Sequence, residues 1–438
     1  MDEKLRHLED AVLARLKGRL VNLRNTEEKD ALISSVVKTL SIDLSKEETQ
    51  EIINDMADLS PISEMIVNDD VEDIMINNTN NIFVQTSSEG CKKYGKSIAN
   101  TEELGRFVDK LKLYATTDTA KGNIMDVHLP TGSRANIIAS PLGYDVTIRN
   151  FKKTPFSILD LINRNELNYE MAARLWLYVD GLKVRPANLL IGGMPASGKT
   201  TLLNAMFSFF RPEQRIVTIE ETYELDTETQ ENCVRLETSE DMNMEDLVKN
   251  ALRMRPDMII IGEVRGAEAN DMITAMNIGK ISMGTIHASS TREIINRLMH
   301  SPMNVPRDII PVIDALIVVS LVYTGGKAFR AITQVSEISG IETQVLLSDI
   351  YKFDYRTLKG SPILPSVTYR DTVAKLLGVP PSDILAEEKV RAVILEKMNQ
   401  LGKRDLKSIN EMVKSYYDNP DATCRKLGIT DVSPVIKV

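Results

Sequence analysis

Gly193-Met-Pro-Ala-Ser-Gly198-Lys199-Thr200-Thr201 decides how this chain is read. Its spacing is Gly, four residues, Gly-Lys and then a hydroxyl, the pattern of a loop whose successive backbone N–H groups close around a phosphate. The flanks supply the context such a loop needs, with Asn188 to Ile191 reading as a short buried strand and Lys199 to Phe210 as a largely apolar helix. That helix adds four unpaired N–H groups and the positive end of its dipole to the anion site. Lys199 is then placed to neutralise β- and γ-phosphate oxygens, and Thr200 to ligate Mg²⁺, a hard cation that prefers oxygen. The residues expected to hold the nucleotide are therefore Gly193, Met194, Pro195, Ala196, Ser197, Gly198, Lys199, Thr200 and Thr201, with ATP and Mg²⁺ as ligands. A plain Gly-rich turn with an incidental lysine is the bland alternative, and the strand and helix on either side weigh against it.

Composition sets the outer limits. A chain of 438 residues exceeds a single core and should hold two or three domains. Its 26% charged and 43% hydrophobic residues are those of an ordinary soluble protein. The net charge of −9 argues against tracking a nucleic-acid backbone, which needs a concentrated basic face, and Arg149-Asn-Phe-Lys-Lys153 is too short to reverse that. No nucleic-acid partner is expected. Cys91, Cys233 and Cys424 lie far apart, so neither a disulfide framework nor a structural zinc site is suggested, and a reducing cytoplasm is the expected compartment. Met1 to Asp10 is charged throughout, unlike a secretory signal. The longest apolar run, Ile309 to Tyr323, is broken by Asp314 and falls short of a bilayer span, so membrane contact should be peripheral.

In chain order, residues 1–60 read as a helical extension, with Leu5, Leu8, Val12, Leu13, Leu16 and Leu20 at helical spacing and Ser45-Lys-Glu-Glu48 as a capping box. Residues 61–150 read as an α+β module. Strands are expected at Val71 to Ile76 and Asn81 to Gln85, a helix from Glu102 to Tyr114, and further strands around Pro130-Thr-Gly132 and Pro141-Leu-Gly143. Residues 151–155 form a polar hinge ending in Pro155. From 156 to 353 strands alternate with helices, as in a parallel sheet covered on both faces, and the strands Phe329 to Ile338 and Gln344 to Phe353 close the domain around Gly340. Residues 354–438 read as a helical appendix, with Tyr369 to Leu377 stopping at Gly378 and Ser382 capping a helix that runs to Leu401. Its balanced charge favours packing or partner docking over DNA binding.

Ligands of open parallel sheets sit at the carboxyl ends of the strands. Glu220-Glu221, Gly262-Glu263-Val-Arg265-Gly266 and His287 all fall there. Hydrolysis of a γ-phosphate needs a group that orients water, a held Mg²⁺ and neutralised charge. Glu220 and Glu221 are the candidates for the water; Glu263 either holds Mg²⁺ through its water shell or shares the base role. His287 can sense the γ-phosphate or the Mg²⁺ shell, where a lone histidine would more often be structural. In the α+β module, Arg134 and Arg149 stand at strand ends. Either is an ordinary surface arginine when judged alone, and a finger reaching a neighbouring nucleotide if the chain assembles.

Ile219-Glu-Glu-Thr, Val234-Arg-Leu-Glu-Thr238, Leu247 to Asp257, Gly262 to Ala269 and Gly284-Thr-Ile-His-Ala288 together resemble the type II/IV secretion ATPase superfamily, the motors of type II secretion, type IV and Tad pili and the archaellum. The resemblance runs from about Leu59 to Val322, and Pro302-Met-Asn-Val-Pro306 leans to the archaeal and Tad-like branch. It implies a RecA-like P-loop core after a PAS-like α+β domain. Lys199 and Thr200 match the Walker A residues, Glu220 and Glu221 the Asp box, Glu263 the Walker B acid, His287 the His box, and Arg134 and Arg149 the arginines brought by the preceding domain. Where the family usually has Glu-Asp this chain has Glu220-Glu221, which leaves the position of the catalytic acid open. The turn before His287 is shortened to Gly279-Lys280-Ile281, cysteine pairs for zinc are absent, and Tyr114 to Lys121 lacks arginines often found there.

The resemblance further implies a homo-hexamer that docks on a polytopic membrane platform protein at the inner face of the cytoplasmic membrane. The expectation is an ATP-driven motor for pilus-like filament assembly or protein secretion. A nucleic-acid translocase and an ATP-binding switch without sustained turnover are the rival readings.

Overall fold

The computed structural model describes residues 34–36, 45, 47, 59–86, 89–112, 123–129, 133–150, 155–239, 241–324 and 327–430. The expected helices of residues 1–60 and the hinge residues 151–154 lie almost wholly outside them. The chain divides into two compact units, Met1–Thr154 and Pro155–Val438.

In the first unit a short helix α1 (Ser63–Ile66) precedes β1 (Val71–Asn78), β2 (Asn81–Thr86) and β3 (Gly90–Lys93). Then come α2 (Thr101–Lys112), β4 (Ile124–His128), β5 (Arg134–Ser140) and β6 (Gly143–Arg149). The six strands pair antiparallel in the order β3-β2-β1-β6-β5-β4. Period-two alternation sorts them into two faces: Ile74, Ile76, Ile137, Val146 and Ile148 are buried, while Asp73, Met75, Thr147 and Arg149 are turned the other way. Leu104, Phe107, Val108 and Leu111, one stripe of α2, join that core.

The second unit is a nine-stranded mixed sheet with helices on both faces. Its strands are β7 (Leu189–Gly192), β8 (Ile216–Glu220), β9 (Cys233–Glu237), β10 (Met258–Val264), β11 (Ile281–Ile286), β12 (Ala315–Thr324), β13 (Lys327–Ile341), β14 (Val345–Asp354) and β15 (Lys359–Pro362). They are ordered β15-β14-β13-β12-β7-β11-β10-β8-β9. From β12 to β9 the pairs are parallel, and from β12 to β15 antiparallel. Helices α3 (Ile158–Asn163), α4 (Tyr169–Asp180) and α5 (Lys199–Met206) cover one face, and α6 (Met244–Ala251), α7 (Glu268–Asn277) and α8 (Thr291–Met299) the other. The parallel strands are apolar on both sides, as burial on both faces requires: Leu189 and Ile191 enter the first core, Leu190 the second.

Four more helices complete this unit: α9 (Thr368–Leu377), α10 (Pro381–Gln400), α11 (Leu406–Asp418) and α12 (Pro420–Lys426). They share the core of α4, whose residues Met171 to Asp180 are all buried. Arg174 of α4 forks onto Glu388 of α10 at 2.9–3.1 Å. Glu337 of β13 is fully buried and accepts from the N–H groups of Val367, Thr368 and Tyr369 at 3.0–3.3 Å, which anchors the start of α9.

Several expected details are corrected. The helix after the phosphate loop is α-helical only to Met206, then tightens to a 3₁₀ turn over Phe207–Phe209. Gly340 lies inside β13 at φ +150 and does not form the turn, which falls at residues 342–344. Ser382 does not cap α10: Pro380 holds that position without a side-chain bond, and the Ser382 hydroxyl bonds Asp383 instead. Strands β3, β9, β12 and β15 and helix α8 join the elements read from the sequence.

Candidate functional site

Loop 193–198 leaves the carboxyl end of β7, inside the sheet, and feeds α5. Two of its residues have left-handed backbone, Ala196 at φ 60 and Gly198 at φ 98. Gly193 admits no side chain, since a Cβ there would lie 2.2 Å from Ser197 Oγ and 2.6 Å from the Val319 carbonyl. The Ser197 hydroxyl is buried and finds no partner among the described residues. Lys199 Nζ donates to the carbonyls of Gly193 (3.0 Å) and Met194 (3.4 Å), and burial lowers its pKa. A buried cation resting on two carbonyls, beside an unpartnered hydroxyl at a helix N-terminus, fits an incoming polyphosphate. Thr200 follows Lys199 in the first turn of α5. Among the described residues no group of three or more His, Cys, Asp or Glu could hold a metal ion. The Thr200 hydroxyl is the hard oxygen this loop would offer a cation beside a bound phosphate.

The edge acids and His287 form a chain that begins at this lysine. His287 Nδ1 is 3.4 Å from Lys199 Nζ, and its Nε2 is 2.5 Å from Glu263 Oε1. The ring thus stands between a cation and a carboxylate. Burial, followed by the Lys199 charge, lowers the His287 pKa and keeps the ring neutral. The second oxygen of Glu263 is 2.5 Å from Arg265 Nη2, while Arg265 Nη1 is 2.8 Å from Glu221. One guanidinium thus bridges two of the three candidate acids. The turn that aims it is held by Glu268, which accepts from the N–H groups of Arg265 (2.6 Å) and Gly266 (2.7 Å).

Glu220 is placed differently. As the last residue of β8 it points inward, 2% exposed, and its Oε1 accepts from the N–H groups of Glu224 (2.8 Å) and Leu225 (2.9 Å). Oε2 accepts no hydrogen bond among the described residues and lies 3.9 Å from Arg235, whose guanidinium stacks 4.3 Å over the Tyr223 ring. Burial raises the Glu220 pKa to about 7, against the pull of those two N–H groups. A carboxyl that ionises near 4.5 unfolded and near 7 folded holds its proton longer in the folded state, so stability falls as pH rises between those values and is level above them. Glu220→Gln keeps an acceptor for both N–H groups. It is therefore expected to gain stability over the native chain between about pH 5 and about pH 8, on the order of 3 kcal/mol at most. Thermal midpoints of the two proteins across that range check this, and a constant difference would refute it.

In the first unit the two arginines are brought together. Arg134 and Arg149 are direct cross-strand partners on β5 and β6. Arg134 pairs with Asp126 at 3.3 Å and Arg149 with Asp73 at 3.2 Å, and the side chains remain 39% and 65% exposed.

Two residues at the second unit's site were not singled out from sequence. Arg265 stands two places after Glu263, so its motif could have marked it. Arg330 of β13 donates from Nε to the Ala196 carbonyl at 2.9 Å and packs against Gly198. Arg330 and Ala196 stand 134 positions apart, and no local pattern reveals that contact.

Residues 55–324 match the family model described as type II/IV secretion system protein. An uncharacterized protein of Methanocaldococcus jannaschii is 33% identical over 313 residues, which are 67% of this chain and 56% of that protein, so the chain spans little more than half of that relative's length. The type IV secretion system protein VirB11 of Bartonella henselae is 28% identical over 285 residues, 56% of this chain and 79% of that protein. Among solved structures, the ATPase DotB of Legionella pneumophila superposes over 83% of this chain and 95% of its own, at 17% identity and a TM-score of 0.48.

Proposed function

Because the chain belongs to the type II/IV secretion system protein family, we propose that it is an ATP-hydrolysing motor subunit. It works as a six-membered ring on a polytopic membrane partner and drives pilus- or archaellum-like filament assembly or protein secretion. The observation that carries this reading is the continuous chain Lys199–His287–Glu263–Arg265–Glu221 running from the phosphate loop along the carboxyl ends of β7, β10 and β11. No described helix is long and apolar enough to cross a membrane, and attachment to the inner face of the cytoplasmic membrane is proposed through the partner.

In this reading Gly193 to Thr201 wrap the β-phosphate, and Lys199 exchanges the Gly193 and Met194 carbonyls for phosphate oxygens. Thr200 and Glu263 are the residues that would hold Mg²⁺, which would supply charge neutralisation. His287, between Lys199 and Glu263, couples that acid to any movement of Lys199. Glu221 and Glu263, held 2.8 and 2.5 Å from Arg265, are the acids that face the edge; Glu220 fixes the loop beneath them. Arg134 and Arg149 of a neighbouring subunit complete the site.

ATP hydrolysis per subunit, measured against protein concentration, tests the proposal. Specific activity is expected to rise with concentration, because sites are completed between subunits. Lys199→Ala is expected to lower it by about 10²–10³, the usual cost of removing one preorganised charge at a reacting phosphoryl group. A Lys199→Ala protein that hydrolyses ATP at the native rate would remove the loop from the reaction.

A further inference from the structure

A cavity of about 110 Å³ adjoins the Glu263–His287 pair, between the end of β10 and the segment that follows α8. Arg265, His287, Arg297 and Ser301 are its polar lining residues, and Val264, Pro302 and Met303 its apolar ones. No carboxylate lines it. The acids that pair with the two guanidiniums reach them from outside: Glu221 and Glu263 take the terminal nitrogens of Arg265, and Glu293 takes Nε of Arg297 at 3.1 Å. That leaves Nε of Arg265 and both terminal nitrogens of Arg297 without an acceptor among the described residues. Two half-exposed guanidiniums with an imidazole and a hydroxyl beside them, and no carboxylate among the lining residues, favour an acceptor-rich anion. The volume is far below the roughly 300–1,000 Å³ of a site for a nucleotide-sized ligand, yet it holds several water-sized groups. A single tetrahedral oxyanion is the size that fits.

We propose that this cavity is the site that receives inorganic phosphate when hydrolysis has released it, and through which phosphate leaves while ADP is still held by the loop. The inference rests on the ATP-hydrolysing reading. In the reaction the water oxygen bonds to the γ-phosphorus and the bond from that phosphorus to the β-bridging oxygen breaks. The water's proton passes to an edge carboxylate, and the products are ADP and phosphate. His287 and Arg265 are common to the loop-side chain and the cavity lining, so phosphate passes from one set of contacts to the next. Arg297, on α8 and outside that chain, is the residue that distinguishes the second site from the first.

The test is ³¹P NMR of inorganic phosphate added to the full chain saturated with ADP, read as line broadening and its concentration dependence. Arg297→Met is expected to weaken phosphate binding about tenfold, or 1.4 kcal/mol, the loss of charge-assisted hydrogen bonds from one guanidinium. ADP affinity, titrated separately, should be unchanged, and Arg297→Lys should retain part of the effect. Phosphate broadening that survives Arg297→Met unaltered while ADP still binds overturns the cavity and leaves the nucleotide reading standing. Broadening that is lost in Lys199→Ala but kept in Arg297→Met places phosphate in the loop and overturns it equally. Failure of ADP to bind the native chain overturns both readings. If Arg297→Met does not fold, Met303→Trp, which fills the cavity from its apolar side, is expected to abolish the broadening, and its persistence would refute the proposal.

Discussion

Arg134→Ala combined with Arg149→Ala is expected to reduce ATP hydrolysis by about 10³ or more while leaving each subunit folded and able to bind nucleotide. The magnitude is that of an arginine finger, which neutralises charge spread over a γ-phosphoryl group in flight. The register makes the pair unusual as mere surface residues. Two like charges directly opposite on antiparallel strands destabilise a sheet, and here each needs its own aspartate, Asp126 and Asp73, to offset it. Half-exposed ion pairs contribute little to stability, so the arrangement has small structural value. It sets two guanidiniums side by side across β5 and β6, the arrangement the proposed finger role would use. If they act on a neighbour's nucleotide, mixing the doubly substituted subunits, whose loops are intact, with Lys199→Ala subunits, whose arginines are intact, should recover part of the lost rate. No recovery would confine the arginines to their own subunit, and a native rate in the double variant would remove them from the reaction.

How much of this was legible follows from the range of each signal. The phosphate loop is local: its glycines, lysine and flanking apolar strand lie within about twenty residues, and the geometry at Gly193 and Gly198 is what a strand-to-helix turn around an anion demands. The acids at strand ends were equally readable, because β8, β10 and β11 are short, apolar and sharply bounded. Their opposite orientations follow from period-two alternation: Glu220 ends β8 pointing inward, so Glu221, the next residue, faces out toward Arg265. What sequence could not show is pairing at long range. Arg330 reaches Ala196 only because β13 is ordered beside β12, itself beside β7, and that order is a property of the folded sheet. The misplaced cap at Ser382 has a local cause. A proline at N1 starts α10 with the right φ and no N–H to satisfy, so the serine one place later is not needed.

Arg391→Ala is expected to destabilise the second unit by about 3–5 kcal/mol, the cost of breaking a buried ion pair from one side. Arg391 of α10 is 2% exposed and joins two acids that are equally buried, Asp180 at the end of α4 through both terminal nitrogens at 2.9 Å and Glu387 through Nε at 3.1 Å. Its guanidinium also lies 4.8 Å from the Trp176 ring, so truncation removes packing as well as charge. Alanine leaves Asp180 and Glu387 facing each other with no cation between them. Two desolvated carboxylates left without their cation are what makes the single truncation costly. The contrast that identifies the mechanism is a triple variant, Asp180→Leu, Glu387→Leu and Arg391→Met. Removing all three charges removes the desolvation cost along with the attraction, so this protein should recover most of what Arg391→Ala loses. Equilibrium unfolding of both variants decides it. If the triple variant were as unstable as the single one, packing around Trp176, not stranded charge, would be what Arg391 supplies to the joint between α4 and α10.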